Sequence, residues 1–269
     1  MRIETFIHRA GSKLVKWPVF RQLDLWLFER EFRVREDVNL HRGVYSSFES
    51  AAESIPDTKP GSYDNEVSAT MYQNRLAVVH SDYPALLWIE RSIARGDRLF
   101  ADLGGSIGIK YYAFSRATKF PDDLRWLTVD VPAVVRAGID FAKSHDPSGR
   151  LRFSESYGDL SACDVLLVSG SAQYLPSPIA SIVASLPEKP RRIVFNGTPL
   201  HDSWSYFTVN SIGNAFCPYR IESRESFVKA FDALGYSVTD QWKNNGKGLT
   251  IPGYPLHMVE AYSGFCFDL

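Results

Sequence analysis

This chain has little cysteine: three residues, Cys163, Cys217 and Cys266, spread over 269 positions. That is too few and too scattered for a disulfide framework or a metal knuckle. The six histidines, His8, His41, His80, His145, His201 and His257, include no pair at metal-ligand spacing, so no metal is expected. Long apolar runs are missing too. None approaches the roughly 20 residues that span a bilayer, and the N-terminus lacks the apolar core of a signal peptide. A cytoplasmic protein in a reducing compartment is expected. Charge of one sign is also absent: 30 Lys+Arg against 31 Asp+Glu leave a net of -1, which creates no field to gather nucleic acid. Several signatures are absent as well. There is no G-x-x-x-x-G-K-[ST] loop for phosphoryl transfer, no Tyr-x-x-x-Lys pair of the short-chain dehydrogenases, and no Asn/Asp-Pro-Pro-Tyr tetrapeptide for transfer to a base amino group.

What remains is an ordinary globular composition, 45% hydrophobic and 23% charged, over a length that buries a sizeable core. Residues 1–95 and 96–269 read differently. The first stretch looks helical, with Phe6, Leu14, Trp17, Leu23, Trp26 and Phe32 interleaved with eight Lys/Arg against four acids up to Arg35. Such a basic amphipathic stretch either packs as a helical extension on the main domain, or across a homodimer, or lies on a membrane surface. A loop with Pro56, Pro60 and Gly61 follows, then a helical pattern from about Glu66 to Arg95. Beyond Arg98, short apolar runs alternate with helical segments, the pattern of a parallel sheet with crossover helices. Strands are expected at about 98–102, 126–130, 151–153, 164–168 and 192–196. A final pair at about 236–243 and 261–268 lacks a crossover helix and should form an antiparallel hairpin.

The most informative segment is Asp102-Leu103-Gly104-Gly105-Ser106-Ile107-Gly108, entered from an apolar strand and followed by a helix. An acid at a strand end, glycines that permit close backbone approach, and a helix N-terminus make a nucleotide crevice. A pyrophosphate, as in NAD(P), would meet repulsion from Asp102. S-adenosylmethionine (SAM) instead offers a cationic amino-acid end that Asp102 can hold, so the charge argument favours SAM. A second apolar strand, Trp126-Leu127-Thr128-Val129, ends in Asp130, placed to accept hydrogen bonds from ribose hydroxyls. Val131 and the helix-opening Pro132 follow it. Glu155, or alternatively Asp159, follows the third strand toward the adenine. Ser169 and Gly170 end the fourth, and their small size lets the chain pass under a cofactor. Gln173 and Tyr174 come next, Tyr174 either near the reacting centre or packed beneath it.

Taken together, Asp102 to Gly108, Val129 to Pro132 and Ser169 to Pro176 resemble class I, Rossmann-like SAM-dependent methyltransferases. The later segments Asn196 to Asp202, Ala215 to Arg220 and Tyr262 to Phe265 resemble a poorly characterised bacterial methyltransferase family. One departure is plain: the common turn reads D-x-G-x-G-x-G, and Ser106 stands at its middle glycine. The resemblance implies a seven-stranded, mostly parallel sheet with a reversed last strand, and SAM as cofactor. It does not imply an acceptor.

Methyl transfer needs a positioned acceptor and, at a hydroxyl, removal of a proton. His201 is the side chain best matched to that task near neutral pH, with Asp202 beside it and Tyr174 as a third catalytic candidate. Asn196, Tyr219 and Arg220 are candidates for the acceptor side, Arg220 either clamping an anionic group or pairing with a surface acid such as Glu222. Tyr63 and Asp64 suggest an N-terminal lid. The expectation is transfer to a small-molecule or glycan acceptor, at oxygen. The competing readings are an NAD(P)-dependent oxidoreductase and a non-catalytic binding protein that keeps the pocket.

Overall fold

The computed structural model describes residues 18–269. Residues 1–17 fall outside the described range, and with them the basic residues Arg2, Arg9, Lys13 and Lys16 of the expected amphipathic stretch. The main body is a seven-stranded sheet built from β2 (Leu99–Leu103), β3 (Arg125–Val129), β4 (Leu151–Ser154), β5 (Val165–Ser169), β6 (Arg192–Thr198), β10 (Ser237–Asn244) and β11 (Tyr262–Asp268). Its order is β10-β11-β6-β5-β2-β3-β4, and β11 alone runs antiparallel to its neighbours. This is the Rossmann-like sheet with a reversed last strand that the resemblance implies, and the tail is the hairpin expected from its missing crossover helix.

Why these residues make such a sheet follows from period two. Ala101, Leu103, Leu166, Val168, Ile193, Phe195, Phe265 and Phe267 point to one face. There they meet α7 (Ile179–Ser185) and α8 (Arg224–Asp232) through Ile182, Val183, Phe227 and Phe231. Phe100, Trp126, Val165, Leu167, Val194 and Cys266 point to the other face. Across from them lie α4 (Tyr83–Arg95) and α5 (Ile109–Ala117), which contribute Ala85, Trp88, Ile89, Tyr112 and Phe114. Both faces are covered, so the central strands read as continuous apolar runs. α8 begins where its cap residues put it: the Ser223 hydroxyl accepts from Ser226 N, Glu225 sits in the first turn, and Gly235 takes φ +96° just past the end.

Two expectations for the first 95 residues are corrected. The pattern from Glu66 to Arg95 is not one helix: α3 (Glu66–Thr70) ends early, a turn and a 3-10 segment (His80–Asp82) intervene, and α4 starts at Tyr83. Two features break it. Pro84 suits a first helical turn but not an interior, and the Asp82 carboxylate is buried against Lys110 and Asn196. Nor is the stretch wholly helical. After α1 (Pro18–Val34), β1 (Asn39–Tyr45) forms a strand, with α2 (Phe48–Glu53) behind it. β1 joins β8 (Tyr206–Ile212), β9 (Ala215–Ser223) and the two-residue β7 (Leu200–His201) in a second sheet ordered β1-β8-β9-β7. Strands from both sides of residue 95 therefore share this sheet. It packs on the 3-10 turn at Ala172–Tyr174, beyond the carboxyl end of β5, and Phe216 N donates to Pro60 O at 2.8 Å. α1 is no membrane span: no described helix is long and apolar enough to cross a bilayer.

Candidate active site

The site begins where β2 ends. Gly104 takes φ +71° and donates its N–H to Val129 O at 2.7 Å, tying the turn to the end of β3. A Cβ on Gly104 would sit 2.2 Å from the Ser171 Cβ, and one on Gly105 would sit 2.4 Å from Asp102 Oδ2. Both glycines are required by close approach: one by the Ser169–Ser171 chain beneath, the other by the carboxylate under the turn. Ser106 takes φ +56°. The serine that departs from the expected motif thus keeps the left-handed backbone of the glycine it replaces, at the cost that a Cβ carries there.

Asp130 closes the turn from the neighbouring strand. Its Oδ2 accepts from Ser106 N and its Oδ1 from Val131 N, both at 2.8 Å. Burial pushes the Asp130 carboxyl up to about 6, and those two N–H bonds oppose the rise. Asp102 is more extreme. It is fully buried, neither carboxylate oxygen has a hydrogen-bond partner among the described residues, and burial pushes it up to about 7. The Lys110 ammonium works against that rise but is itself paired with Asp82 at 2.6 Å. A buried carboxylate without a donor is costly, and a cation or donor brought to the turn would relieve it.

The other expected cofactor residues divide. Ser169 and Gly170 end β5 beside the turn: Gly170 N donates to Asn196 O at 2.8 Å, Ser171 Oγ to Leu103 O, and no atom lies within 4 Å of where a Gly170 Cβ would stand. Glu155 is exposed, and Asp159 accepts from Ser154 Oγ at 2.5 Å. Tyr157, which the sequence did not single out, lies between them; the Asp130 charge adds to the burial that raises its phenol. Asp64, in the 60–75 segment, accepts from Ala133 N at 2.8 Å and caps α6 (Pro132–His145), while the Tyr63 ring packs 5.4 Å from that of Tyr174. The segment named as a lid therefore lies over the first turn of α6, next to Asp130.

On the acceptor side the structure rearranges the expectations. His201 is buried and fully engaged. Its Nδ1 accepts from Ser203 N and Trp204 N, both at 3.0 Å, so the proton is on Nε2, which donates to Leu256 O at 2.9 Å. No lone pair is left to take a proton from an acceptor. Asp202 points outward with 86% of its side chain exposed, 3.7 Å from Arg224. The cavity of about 350 Å³ beside them is lined by Trp204, Arg224, Lys243 and Leu256 among others, and by none of the glycine-turn residues. Arg220 donates to Leu175 O and Pro176 O and stacks 4.8 Å over Phe207, while its Nε has no partner among the described residues. Asn196 is a scaffold residue, donating to Asp82 and accepting from Trp242 Nε1 at 3.2 Å. Tyr174 and Tyr219 do come together, ring centroids 5.0 Å apart and both buried deeply enough to stay protonated. Tyr174 donates to Asn210 Oδ1 at 3.0 Å. His41, Asp82, Lys110 and Lys247 belong to the same region and sequence reasoning did not mark them, whereas Tyr262 was marked only as part of the Tyr262 to Phe265 resemblance.

No protein-family model matches the chain, and no curated protein matches it in sequence. Among solved structures, it is similar to an S-adenosylmethionine-dependent methyltransferase from Clostridium acetobutylicum at 11% identity, covering 76% of this chain and 97% of that one with a TM-score of 0.47. It is similar also to magnesium protoporphyrin IX methyltransferase from Synechocystis with bound S-adenosylhomocysteine (10% identity, 76% and 96% covered, TM-score 0.46). A third is 1,6-didemethyltoxoflavin-N1-methyltransferase from Burkholderia thailandensis (15% identity, 70% and 78% covered, TM-score 0.45). At these scores the functional reading rests on this chain's own residues.

Proposed function

We propose that the chain is a SAM-dependent methyltransferase acting on a small-molecule or glycan acceptor, at oxygen. The observation that carries the reading is Asp102: a fully buried carboxylate with no partner, directly beneath Gly105 of a turn that opens a helix. Its chemistry suits the ammonium of an amino-acid end and opposes a pyrophosphate, which argues against NAD(P). The residues present fit SAM. Asp102, Gly104 and Gly105 would hold the amino-acid end, and Asp130, already fixed by the Ser106 and Val131 amides, would accept from ribose hydroxyls. Tyr157 and Val131 would flank the base, and Ser169 and Gly170 would form the floor.

SAM, when bound, supplies a methyl group on a sulfonium for in-line displacement by the acceptor. The chain's contribution is then placement and exclusion of water. The 60–75 segment covers the crevice, and the tyrosines of the second sheet wall the acceptor side. His201 is assigned to hold the 200–204 loop against Leu256, and Tyr174 to position its neighbours through Asn210, rather than either acting as base. The test is equilibrium dialysis of radiolabelled SAM against the full chain, with unlabelled S-adenosylhomocysteine or NADH as competitor. Displacement by S-adenosylhomocysteine and not by NADH is expected; retention of NADH with no uptake of SAM would sink the reading.

A further inference from the structure

Past the carboxyl end of β6, an aromatic cluster holds an ammonium and an imidazole nitrogen that nothing among the described residues satisfies. Lys247 lies in the turn between β10 and β11, fixed there because Tyr262 N donates to Lys247 O at 2.8 Å. Its ammonium stands 4.7 Å from the centroid of the Tyr262 ring, and no carboxylate pairs with it among the described residues. The charges that reach it are cationic, Arg75 and Lys110, and together with burial they hold its pKa below the usual lysine range. Lys110 already has its acid, Asp82. Lys247 has none.

The second unsatisfied group is His41, in β1. The Tyr262 hydroxyl is 2.7 Å from that of Tyr219, and the Tyr219 ring meets His41 edge-on at 4.8 Å. His41 is 3% exposed. Its Nε2 lies 3.5 Å from the Asn210 amide nitrogen, whose two N–H groups already go to Asn39 Oδ1 and Leu40 O. Nδ1 has no partner among the described residues. Burial and the Lys247 charge pull His41 down to about 3, so the ring is neutral. An unpaired cation and an unpartnered ring nitrogen share one aromatic cluster, which tyrosines Tyr174 and Tyr63 extend. A cation without a counter-ion calls for an anion, and aromatic neighbours favour a planar one.

We propose that the acceptor is a planar aromatic carboxylate, its carboxylate paired with Lys247 and its ring set against Tyr262 and Tyr219, with His41 Nδ1–H donating to it. The word acceptor rests on the methyltransferase reading; the aromatic-anion site itself does not. A Lys247 that serves the carboxylate of the cofactor instead is the outcome in which Lys247→Gln loses S-adenosylhomocysteine.

The experiment titrates 4-hydroxybenzoate and its uncharged analogue 4-hydroxybenzamide into the full chain, with and without S-adenosylhomocysteine, followed by intrinsic fluorescence. The benzoate is expected to bind at least tenfold more tightly than the amide. Lys247→Gln should abolish that preference and leave S-adenosylhomocysteine affinity within twofold, and Lys247→Arg should retain the preference. His41→Asn, a second variant independent of how Lys247→Gln folds, should weaken the benzoate at least fivefold. Equal binding of the two compounds, or binding of neither, overturns the proposal. So does a Lys247→Gln variant that loses S-adenosylhomocysteine but keeps the preference. A benzoate preference in a protein that does not bind S-adenosylhomocysteine would uphold the anion site and overturn the methyltransferase reading.

Discussion

The two halves of the candidate site are built in opposite ways. The cofactor half is local: β2, its turn and α5 form one continuous segment, and Asp130 reaches it from the adjacent strand in the sheet. Asp130 is held there by backbone amides, and the orphan carboxylate Asp102 lies under that backbone. The acceptor half is assembled from distant pieces, with His41 paired in register to Asn210 and Lys247 brought to Tyr262 by the last hairpin. Its polar groups are held by side chains, as in Tyr174–Asn210 and Tyr219–Tyr262, and by backbone groups of distant loops, as at His201 and Arg220. A local half tolerates little change in shape, whereas an assembled half tolerates change in shape but little in polarity.

That contrast is testable. The largest effect is expected at Gly104. A valine there meets the Ser171 Cβ and must also adopt φ +71°, so Gly104→Val should cost ~3 kcal/mol or more and remove SAM binding. Gly170→Ala, at φ +73° but with open space around it, should cost only about 1–2 kcal/mol. Chemical denaturation of the two variants makes the comparison; equal losses would mean that steric closeness under the turn does not matter.

Next comes pH. Asp102 sits well above its unfolded value, so the folded state holds a proton that the unfolded chain has released. Stability of the cofactor-free protein should therefore fall as pH rises from about 4 to about 7, by an amount on the order of a few kcal/mol. Asp130, pushed up to about 6, adds a smaller slope of the same sign. Asp102→Asn should flatten most of it. SAM affinity should rise over the same interval near pH 7, because an ammonium favours the ionised carboxylate. A melting temperature of wild type and Asp102→Asn that runs parallel from pH 4 to 8 would contradict this.

On the assembled side, His201→Ala strands the Ser203 and Trp204 amides and the Leu256 carbonyl. It should destabilise by ~1–3 kcal/mol while leaving S-adenosylhomocysteine affinity unchanged. A variant of full stability that loses methyl transfer would return His201 to the role of base. The smallest effect is at Ser106. Ser106→Gly relieves the left-handed strain at a cost in unfolded-chain entropy, so stability should stay level or rise by at most ~1 kcal/mol, with SAM binding kept.

The same contrast explains what could be read in the sequence. The five parallel strands, the turn and the final hairpin are written in local periodicity, glycine placement and strand-end acids, and the structure has them within a residue or two of the expected positions. The second sheet is written only in pairs far apart in the chain. Tyr206–Ile212 and Ala215–Ser223 are rich in aromatic and β-branched residues, a strand signal that could have been taken, but nothing local says that Asn39–Tyr45 is their partner. The His201-Asp202 neighbours suggested a base with an acid. β7 instead turns the histidine inward to three backbone groups and leaves the aspartate in solvent. Lys247 and His41 carry no motif, and their meaning comes from what surrounds them and what does not.

The account depends most directly on the turn holding SAM through its two acids. Calorimetric titration of S-adenosylhomocysteine into wild type, Asp102→Asn and Asp130→Ala, with NADH as the control ligand, tests it. Saturable binding to wild type, at least tenfold weaker in each variant and absent for NADH, is the predicted result. Binding that both substitutions leave unchanged, or NADH binding in its place, would contradict it.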